Sequence, residues 1–389
     1  LMATPLGALD MKQKDENGKE YDFPAGIAHF LEHKMFEMED GDVMDLFSNM
    51  GANVNAFTSY TETVYYFSTT ADVIQPLHLL LDFVQDLSIT KESVEKEKGI
   101  IIQELNMYKQ MSDQRLLMET FSSLYKHHPL RYDIGGDAES VTSITLEQLK
   151  QCYDINYHPG KMILVGVSAQ NPEVLLKEIK KNQQAKTFPA GKKVIRMMQE
   201  EPYEPARKDF EFQMDVSMPK LSIAYKMRGV EDIYERIKKE WAIRMVLDAT
   251  FSSLNPDFQK WLDEGIINDF VGSDVDLGKD YGMMMFYSET NKKEAFLAIV
   301  KDIVQKIKQE GISESLLEQL KKRYYGQSLR SLNCFDDIAI TMVRNYFDQS
   351  DFFASMDVLY DITLQDVKDA CQMIDVDNFC VIDLLPENK

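Results

Sequence analysis

The sequence predicts an α+β protein built from two copies of one unit, and three observations carry that expectation. First, Ile144-Thr145-Leu146-Glu147-Gln148-Leu149-Lys150 returns as Ile362-Thr363-Leu364-Gln365-Asp366-Val367-Lys368, after which Met162-Ile163-Leu164-Val165 aligns without a gap with Cys380-Val381-Ile382-Asp383. Second, each copy mixes strand-like alternation with helical apolar spacing. Third, residues 182–208, rich in Pro, Lys, Glu and Gln, break that periodicity and read as a linker. The expected domains are therefore 1–181 and 209–389, each a mainly antiparallel sheet with helices packed on it.

Composition bounds the function classes. The 389 residues are 44% hydrophobic and 28% charged, an ordinary globular balance. Lys+Arg 43 against Asp+Glu 64 gives a formal charge of -21, a field that repels a phosphate backbone and excludes nucleic acid as the expected partner. No window reaches the roughly 18 uninterrupted apolar residues of a bilayer span, so no membrane partner is expected. Cys152, Cys334, Cys371 and Cys380 form no CxxC pair and no disulfide framework, which points to a reducing, cytoplasmic compartment. A chain that begins at Leu1 leaves room for a cleaved leader upstream.

In chain order, Pro24 and Gly26 lead into a helix whose apolar face is Phe23, Ile27, Phe30, Leu31 and Phe36. Residues 54–68 alternate as strands do, and 74–87 carry helical spacing. Residues 95–107 read as a charged helix, although the β-branched run of Ile100, Ile101 and Ile102 also suits a strand. In the second copy 209–225 read as strands and 294–309 as a helix. His127, His128 and His158 stand beside prolines and read as turn residues.

The chemistry lies in the first copy, which holds all six histidines. His29 and His33 are four apart on one helix, about 400° of rotation and roughly 6 Å of rise, so both imidazoles point the same way and can share one Zn²⁺. Glu32 stands on that face and can take a proton from a metal-activated water. A helical histidine pair can also be a packing feature or a structural site. Glu97 and Glu104, seven apart, share a face of the second helix and offer a carboxylate as third ligand. A solvated charged face is the alternative for that stretch.

These residues, His29-Phe30-Leu31-Glu32-His33 with Glu97 and Glu104 about seventy positions on, resemble the pitrilysin or insulinase-like zinc peptidases, the inverzincins. Gly51-Ala52-Asn53-Val54-Asn55-Ala56-Phe57-Thr58-Ser59 and Tyr157-His158-Pro159-Gly160-Lys161-Met162 extend the resemblance over nearly the whole chain, most closely to short bacterial members related to mitochondrial processing peptidase. The resemblance implies half of a pitrilysin-type clam, one Zn²⁺ held by His29, His33 and Glu104, Glu32 as general base and Glu97 as a carboxylate behind the ligands. It further implies that Asn55, Ala56, Phe57 and Thr58 lie on an edge strand that accepts the substrate as an added strand.

Two departures shape the expectation. Members of the family place two more strands ahead of the stretch matching 2–10, so the first sheet is expected to be short of strands. Many active members also carry an Arg and a Tyr, seven apart, that hold substrate from the second copy, whereas here Trp261 and Asn268, or with a shift by one Leu262 or Asp269, occupy those places, and Gly326 takes the position that corresponds to Glu104 in the repeat register. The expected function is a zinc endopeptidase subunit acting on peptides or unfolded segments, with a homologous partner subunit supplying the clamp in a heterodimer. A non-catalytic scaffold that retains the zinc site, and a self-sufficient homodimeric oligopeptidase, remain as alternatives.

Overall fold

The computed structural model describes residues 1–38 and 41–387. The first half runs β1 (Met2–Thr4), β2 (Lys12–Asp15), β3 (Glu20–Asp22), α1 (Ile27–Met35), β4 (Glu37–Met38), β5 (Gly41–Asp42), α2 (Val43–Asn49), β6 (Ala52–Thr58), β7 (Thr63–Thr69), α3 (Ile74–Val84), α4 (Lys91–Lys109), α5 (Ser112–Leu124), α6 (Ala138–Ser143), α7 (Leu146–Asn156), β8 (Ile163–Leu164) and α8 (Pro172–Gln184). After β9 (Val194–Arg196) come β10 (Asp209–Met214), β11 (Lys220–Met227), α9 (Ile233–Thr250), α10 (Phe258–Asp263), β12 (Gly272–Leu277), β13 (Gly282–Glu289), α11 (Lys293–Gln309), α12 (Glu314–Ser331), α13 (Phe335–Phe347), α14 (Phe352–Asp361), α15 (Leu364–Gln372) and β14 (Phe379–Pro386). Among the described residues no helix is long and apolar enough to cross a membrane.

The chain packs as two units. The first comprises Leu1–Tyr108, Tyr132–Met198 and Cys334–Phe347, and the second Lys109–Arg131, Gln199–Asn333 and Asp348–Lys389. Each unit thus takes one helix from the other half of the sequence, α13 in the first and α5 in the second.

In the first unit the strands run β6-β7-β1-β8, antiparallel throughout. Period-two alternation sorts their side chains: Met2 and Tyr65 join the main core with Phe30, Leu31, Leu80 and Leu149, while Ala3 and Val64 face Ala339 and Val343 of α13. Glu62, 2% exposed, meets Arg344 Nε at 2.9 Å on that second face. A smaller sheet, β3-β2-β9, uses part of the stretch expected to be a linker, and Arg196 of β9 grips Asp10 through two hydrogen bonds of 2.9 and 2.8 Å. Residues 182–184 are likewise not loose, since they close α8.

The second unit has the strand order β10-β14-β11-β13-β12, in which only β10 and β14 run parallel. Its last four strands repeat the order and directions of the first sheet, with β12, β13, β11 and β14 in the places of β6, β7, β1 and β8. Among the described residues the first sheet therefore has four strands where the second has five. All eight residues of β11 are buried, as a central strand covered on both faces requires. The repeated Ile-Thr-Leu motif is a helix start in both copies: Thr145 and Gln148 form a capping box on α7, and Thr363 and Asp366 form one on α15.

Residues 100–102 are helical within α4, because Val94, Ile101 and Leu105 fill the core at helical spacing and tertiary packing outweighs β-branching. The alternating stretch 54–68 is the β6–β7 hairpin. In 209–225, by contrast, β10 and β11 are separated by β14. Of the four cysteines three are buried, while Cys334 is exposed.

Candidate metal centre

Helix α1 begins where Gly26, at φ 87, turns the chain into it, and a side chain there would lie 2.3 Å from the Gly135 carbonyl oxygen. Ile27, Phe30 and Leu31 anchor the helix in the core, which turns His29, Glu32 and His33 toward its half-buried side. Helix α4 is held by Val94, Ile101 and Leu105, and this presents Glu97 and Glu104 to α1. One nitrogen of His29, one of His33 and one oxygen of Glu104 lie within 4.8 Å of one another, the only such group among the described residues.

Glu104 Oε2 is 3.4 Å from His33 Nε2 and 3.9 Å from His29 Nε2. A tetrahedral ion with ligands at roughly 2.0–2.1 Å sets neighbouring ligand atoms about 3.3–3.4 Å apart, so two imidazoles and a carboxylate in this arrangement fit Zn²⁺ and leave a fourth position for water or substrate. Burial, with the nearby His33 charge, lowers His29 to about 4, which keeps its imidazole neutral and its lone pair available at neutral pH.

His33 is held from behind. Burial alone would lower it, but the Glu97 hydrogen bond and the charges of Glu32 and Glu104 reverse this and raise it. Its Nδ1 is 3.1 Å from Glu97 Oε1, which fixes the ring and leaves Nε2 for the cluster. The hydrogen bond from His33 holds Glu97 below the usual carboxylate range despite its burial, with the Lys34 charge assisting. Lys34, 2% exposed, lies 3.5 Å from Glu97 Oε2 and also pairs with Glu37.

Glu32 sits across the helix turn from the cluster. Burial raises its carboxyl above the ordinary value against the opposing pull of His33 and Thr58, so the buried group holds a proton more readily than a free carboxylate. Its Oε2 accepts a 2.9 Å hydrogen bond from Thr58 Oγ1, the last residue of edge strand β6.

The expected strand residues have separate surroundings. Thr58 is committed to Glu32, and Phe57 packs against the α13 face of the sheet with its ring 6.5 Å from Tyr66. Ala56 borders the main core, and its N–H donates to the Asn55 side chain at 2.9 Å. Because Ser59 N–H bonds Glu62 O at the hairpin end, pairing alternates so that the N–H and C=O groups of Val54, Ala56 and Thr58 point away from β7. Among the described residues no side chain bonds the Ala56 carbonyl.

In the second unit Trp261 is 9% exposed among Phe251 and Phe258, and Asn268 Nδ2 donates to Glu289 at 2.8 Å. Neither presents a cation or a phenol outward. His128 is buried with its Nδ1 accepting from Leu130 N–H, and His158 Nδ1 accepts from Gly160 N–H, so both organise turns.

Two supporting residues escape sequence reasoning. Lys34 carries the one signal that existed, a lysine on the apolar face of α1. Gly135 carried none; a Cβ there would stand 2.8 Å from Leu105 Cδ2 and 3.3 Å from His29 Nδ1, so any side chain there displaces Leu105 and crowds the His29 ring.

With that geometry in place, residues 17–138 match the family described as Insulinase (Peptidase family M16), and 143–324 match the Peptidase M16 inactive domain. The chain is 35% identical over 369 residues to the uncharacterized zinc protease YmfH of Bacillus subtilis, covering 94% of this chain and 86% of that one. It is 31% identical over 162 residues to the mitochondrial-processing peptidase subunit beta of Saccharomyces cerevisiae, 40% of this chain and 35% of the relative. The crystal structure of an M16-like peptidase from Alicyclobacillus acidocaldarius superposes with a TM-score of 0.93 at 34% identity, covering 99% of this chain and 92% of that one.

Proposed function

The chain belongs to peptidase family M16, the insulinase family, and from that premise we propose that it is a zinc-dependent endopeptidase subunit acting on peptides or unfolded segments. One observation carries the reading: the Glu32 carboxylate lies between the His29–His33–Glu104 cluster and an edge strand whose outward Ala56 carbonyl is open to an added chain. Base, ligand set and seat for the substrate backbone are thus contiguous within one unit.

Zinc, when bound, supplies a Lewis acid that polarises the scissile carbonyl and acidifies a water. The chain's own residues do the rest. His29, neutral because it is buried, and His33, oriented by Glu97, hold their Nε2 lone pairs toward Glu104. Glu32 takes the proton of the attacking water and returns it to the leaving amine, a role suited to a carboxyl whose affinity for protons is raised by burial. Thr58 holds that carboxylate at the end of β6, so the base stands beside the backbone of any chain paired there. Main-chain pairing tolerates many sequences, which fits a peptidase of broad specificity.

A homologous subunit supplies the clamp in this reading, since Trp261 is packed in the core and Asn268 is bonded to Glu289. Support for pairing comes from the relative described as a processing-peptidase subunit beta. The same two positions favour the alternative of a non-catalytic scaffold. Metal content together with hydrolysis of a quenched fluorogenic peptide, for the parent chain and Glu32→Gln, with and without chelator and a homologous subunit, tests the proposal. Stoichiometric zinc with hydrolysis that disappears in Glu32→Gln supports it; bound zinc with no hydrolysis in any pairing favours the scaffold, and no metal at all refutes both.

A further inference from the structure

The two sheets share strand order, and their edge strands end in hairpins of equal length, with Thr58 and Thr63 matching Leu277 and Gly282. On that register Ala56 corresponds to Val275 and Asn55 to Asp274. The correspondence extends to hydrogen bonds: Ala56 N–H donates to Asn55 Oδ1 at 2.9 Å, and Val275 N–H donates to Asp274 Oδ1 at 2.9 Å. It reaches the helices too. Glu32 of α1 takes the Thr58 hydroxyl, and Glu240 of α9 accepts from Leu277 N–H at 3.3 Å. The second copy therefore keeps a glutamate in the place of Glu32, while Ile237 and Trp241 stand where His29 and His33 would be.

One turn further along each helix the copies diverge. The residue after Glu32 by four is Phe36, whose ring turns inward to Tyr65 and Phe83 at centroid distances of 6.1 and 5.6 Å. Its counterpart after Glu240 is Arg244, and this side chain reaches out across the edge of β12. Nη2 donates to the Val275 carbonyl at 2.8 Å, Nη1 meets Asp274 Oδ1 at 2.8 Å, and Nη2 is 3.4 Å from Glu240 Oε1. Pairing of Gly278 N–H with Tyr281 O sets the alternation, so Ser273, Val275 and Leu277 are the residues whose backbone groups point away from β13. Val275 N–H, Val275 C=O and Leu277 N–H are thus all taken by side chains of the unit itself. Besides the Leu277 carbonyl, the first residues of β12 stay open, bordering a cavity of about 370 Å³ lined by Gly272, Ser273, Phe251, Ser252 and Tyr324.

We infer that Arg244 closes the β12 edge against strand addition and so confines peptide binding to the β6 edge, making it a specificity-determining residue that acts by exclusion. An exposed strand edge is a template for any extended chain, and a charged side chain laid across it is one way to block it. Without Arg244 the Val275 carbonyl would be open as the Ala56 carbonyl is, and β12, six residues against the seven of β6, would keep only the Asp274 bond that Asn55 also makes on β6 and the Glu240 bond at its end. The inference rests on the reading of β6 as the substrate seat.

The test uses the full chain in a Glu32→Gln background, so that a labelled, unstructured, uncharged probe peptide rich in Val and Thr is bound without being cut. Binding stoichiometry is measured by calorimetry, and the bound segments are located by hydrogen exchange with and without peptide. The unaltered edge should bind one peptide per chain and show protection in 52–58 alone. Arg244→Ala should bind two and add protection in 271–277. A folded Arg244→Ala protein that protects 52–58 but still binds one peptide refutes the role of Arg244 and leaves the β6 reading standing. Protection of 271–277 with Arg244 in place refutes it without recourse to the variant, so a variant that fails to fold does not shield the idea. Absence of protection in both segments, in both proteins, refutes this inference and the β6 reading together.

Discussion

Replacing Glu97 by Gln removes a negative charge while nearly preserving shape, and its effect should appear in metal affinity before it appears anywhere else. The carboxylate accepts the His33 Nδ1 proton at 3.1 Å, and its other oxygen lies 3.5 Å from Lys34 Nζ. A neutral amide can still accept from Nδ1, but it no longer strengthens the basicity of Nε2, and among the described residues Lys34, 2% exposed, keeps Glu37 as its counter-charge. Loss of a partner of this kind behind a metal-binding histidine costs about 10–100-fold in affinity, or about 1.4–2.7 kcal/mol. Competition for Zn²⁺ against a chromophoric chelator reads that loss directly. Calorimetric unfolding of the metal-free protein serves as control, because a purely structural role would lower Tm without a comparable change in zinc affinity. Zinc affinity within about twofold of the parent, in a folded protein, would refute the argument that Glu97 prepares His33.

Glu32→Gln should leave zinc affinity within a few-fold and lower kcat by about 10²–10⁴, the usual contribution of a general base, as read by the fluorogenic assay at saturating zinc. Gly135→Ala forces a methyl to within 2.8 Å of Leu105 Cδ2 and 3.3 Å of His29 Nδ1. It should cost about 1–3 kcal/mol in denaturant unfolding and weaken zinc binding as well, whereas an unchanged midpoint would mean that the loop yields freely. Burial, reinforced by Asp276, pushes Glu240 up to about 7 from 4.5, so the folded state binds a proton that the unfolded state has released. Stability from this group is full below about pH 4.5 and is lost as pH rises to about 7, a span of at most about 3 kcal/mol that solvent screening of a side chain 31% exposed reduces to about 1–2. Glu240→Gln should therefore flatten the fall in Tm between pH 5 and 8, and an undiminished fall would assign that slope to other groups.

Much of the site was legible because its residues are spaced by the helix itself. His29, Glu32 and His33 are brought to one side by the 3.6-residue turn alone, and the same geometry puts Glu97 and Glu104 on one face of α4. The repeated Ile-Thr-Leu motif was legible for a similar reason, since a capping box is a contact among neighbours in sequence. Less was legible in β6. Alternation marks it as a strand, yet the commitment of Thr58 to Glu32 and of Phe57 to the α13 face depends on partners many residues away. The stretch 182–208 misled in part because β9 gains its order from pairing with β2, a contact that three short residues cannot announce.

By itself the sequence determined the periodic elements, the duplication, the candidate ligand types on α1 and α4 and the acidic balance, all of which follow from residue chemistry and local backbone geometry. Tertiary structure alone decided that α5 and α13 pack in the units opposite to their own halves of the chain, that Lys34 and Gly135 stand behind the histidines, and that Arg244 lies over the β12 edge while Phe36 turns inward. The physical reason is common to all of these. They are contacts between segments far apart along the chain, whose energies arise only when packing brings the segments together, so no local pattern of residues encodes them.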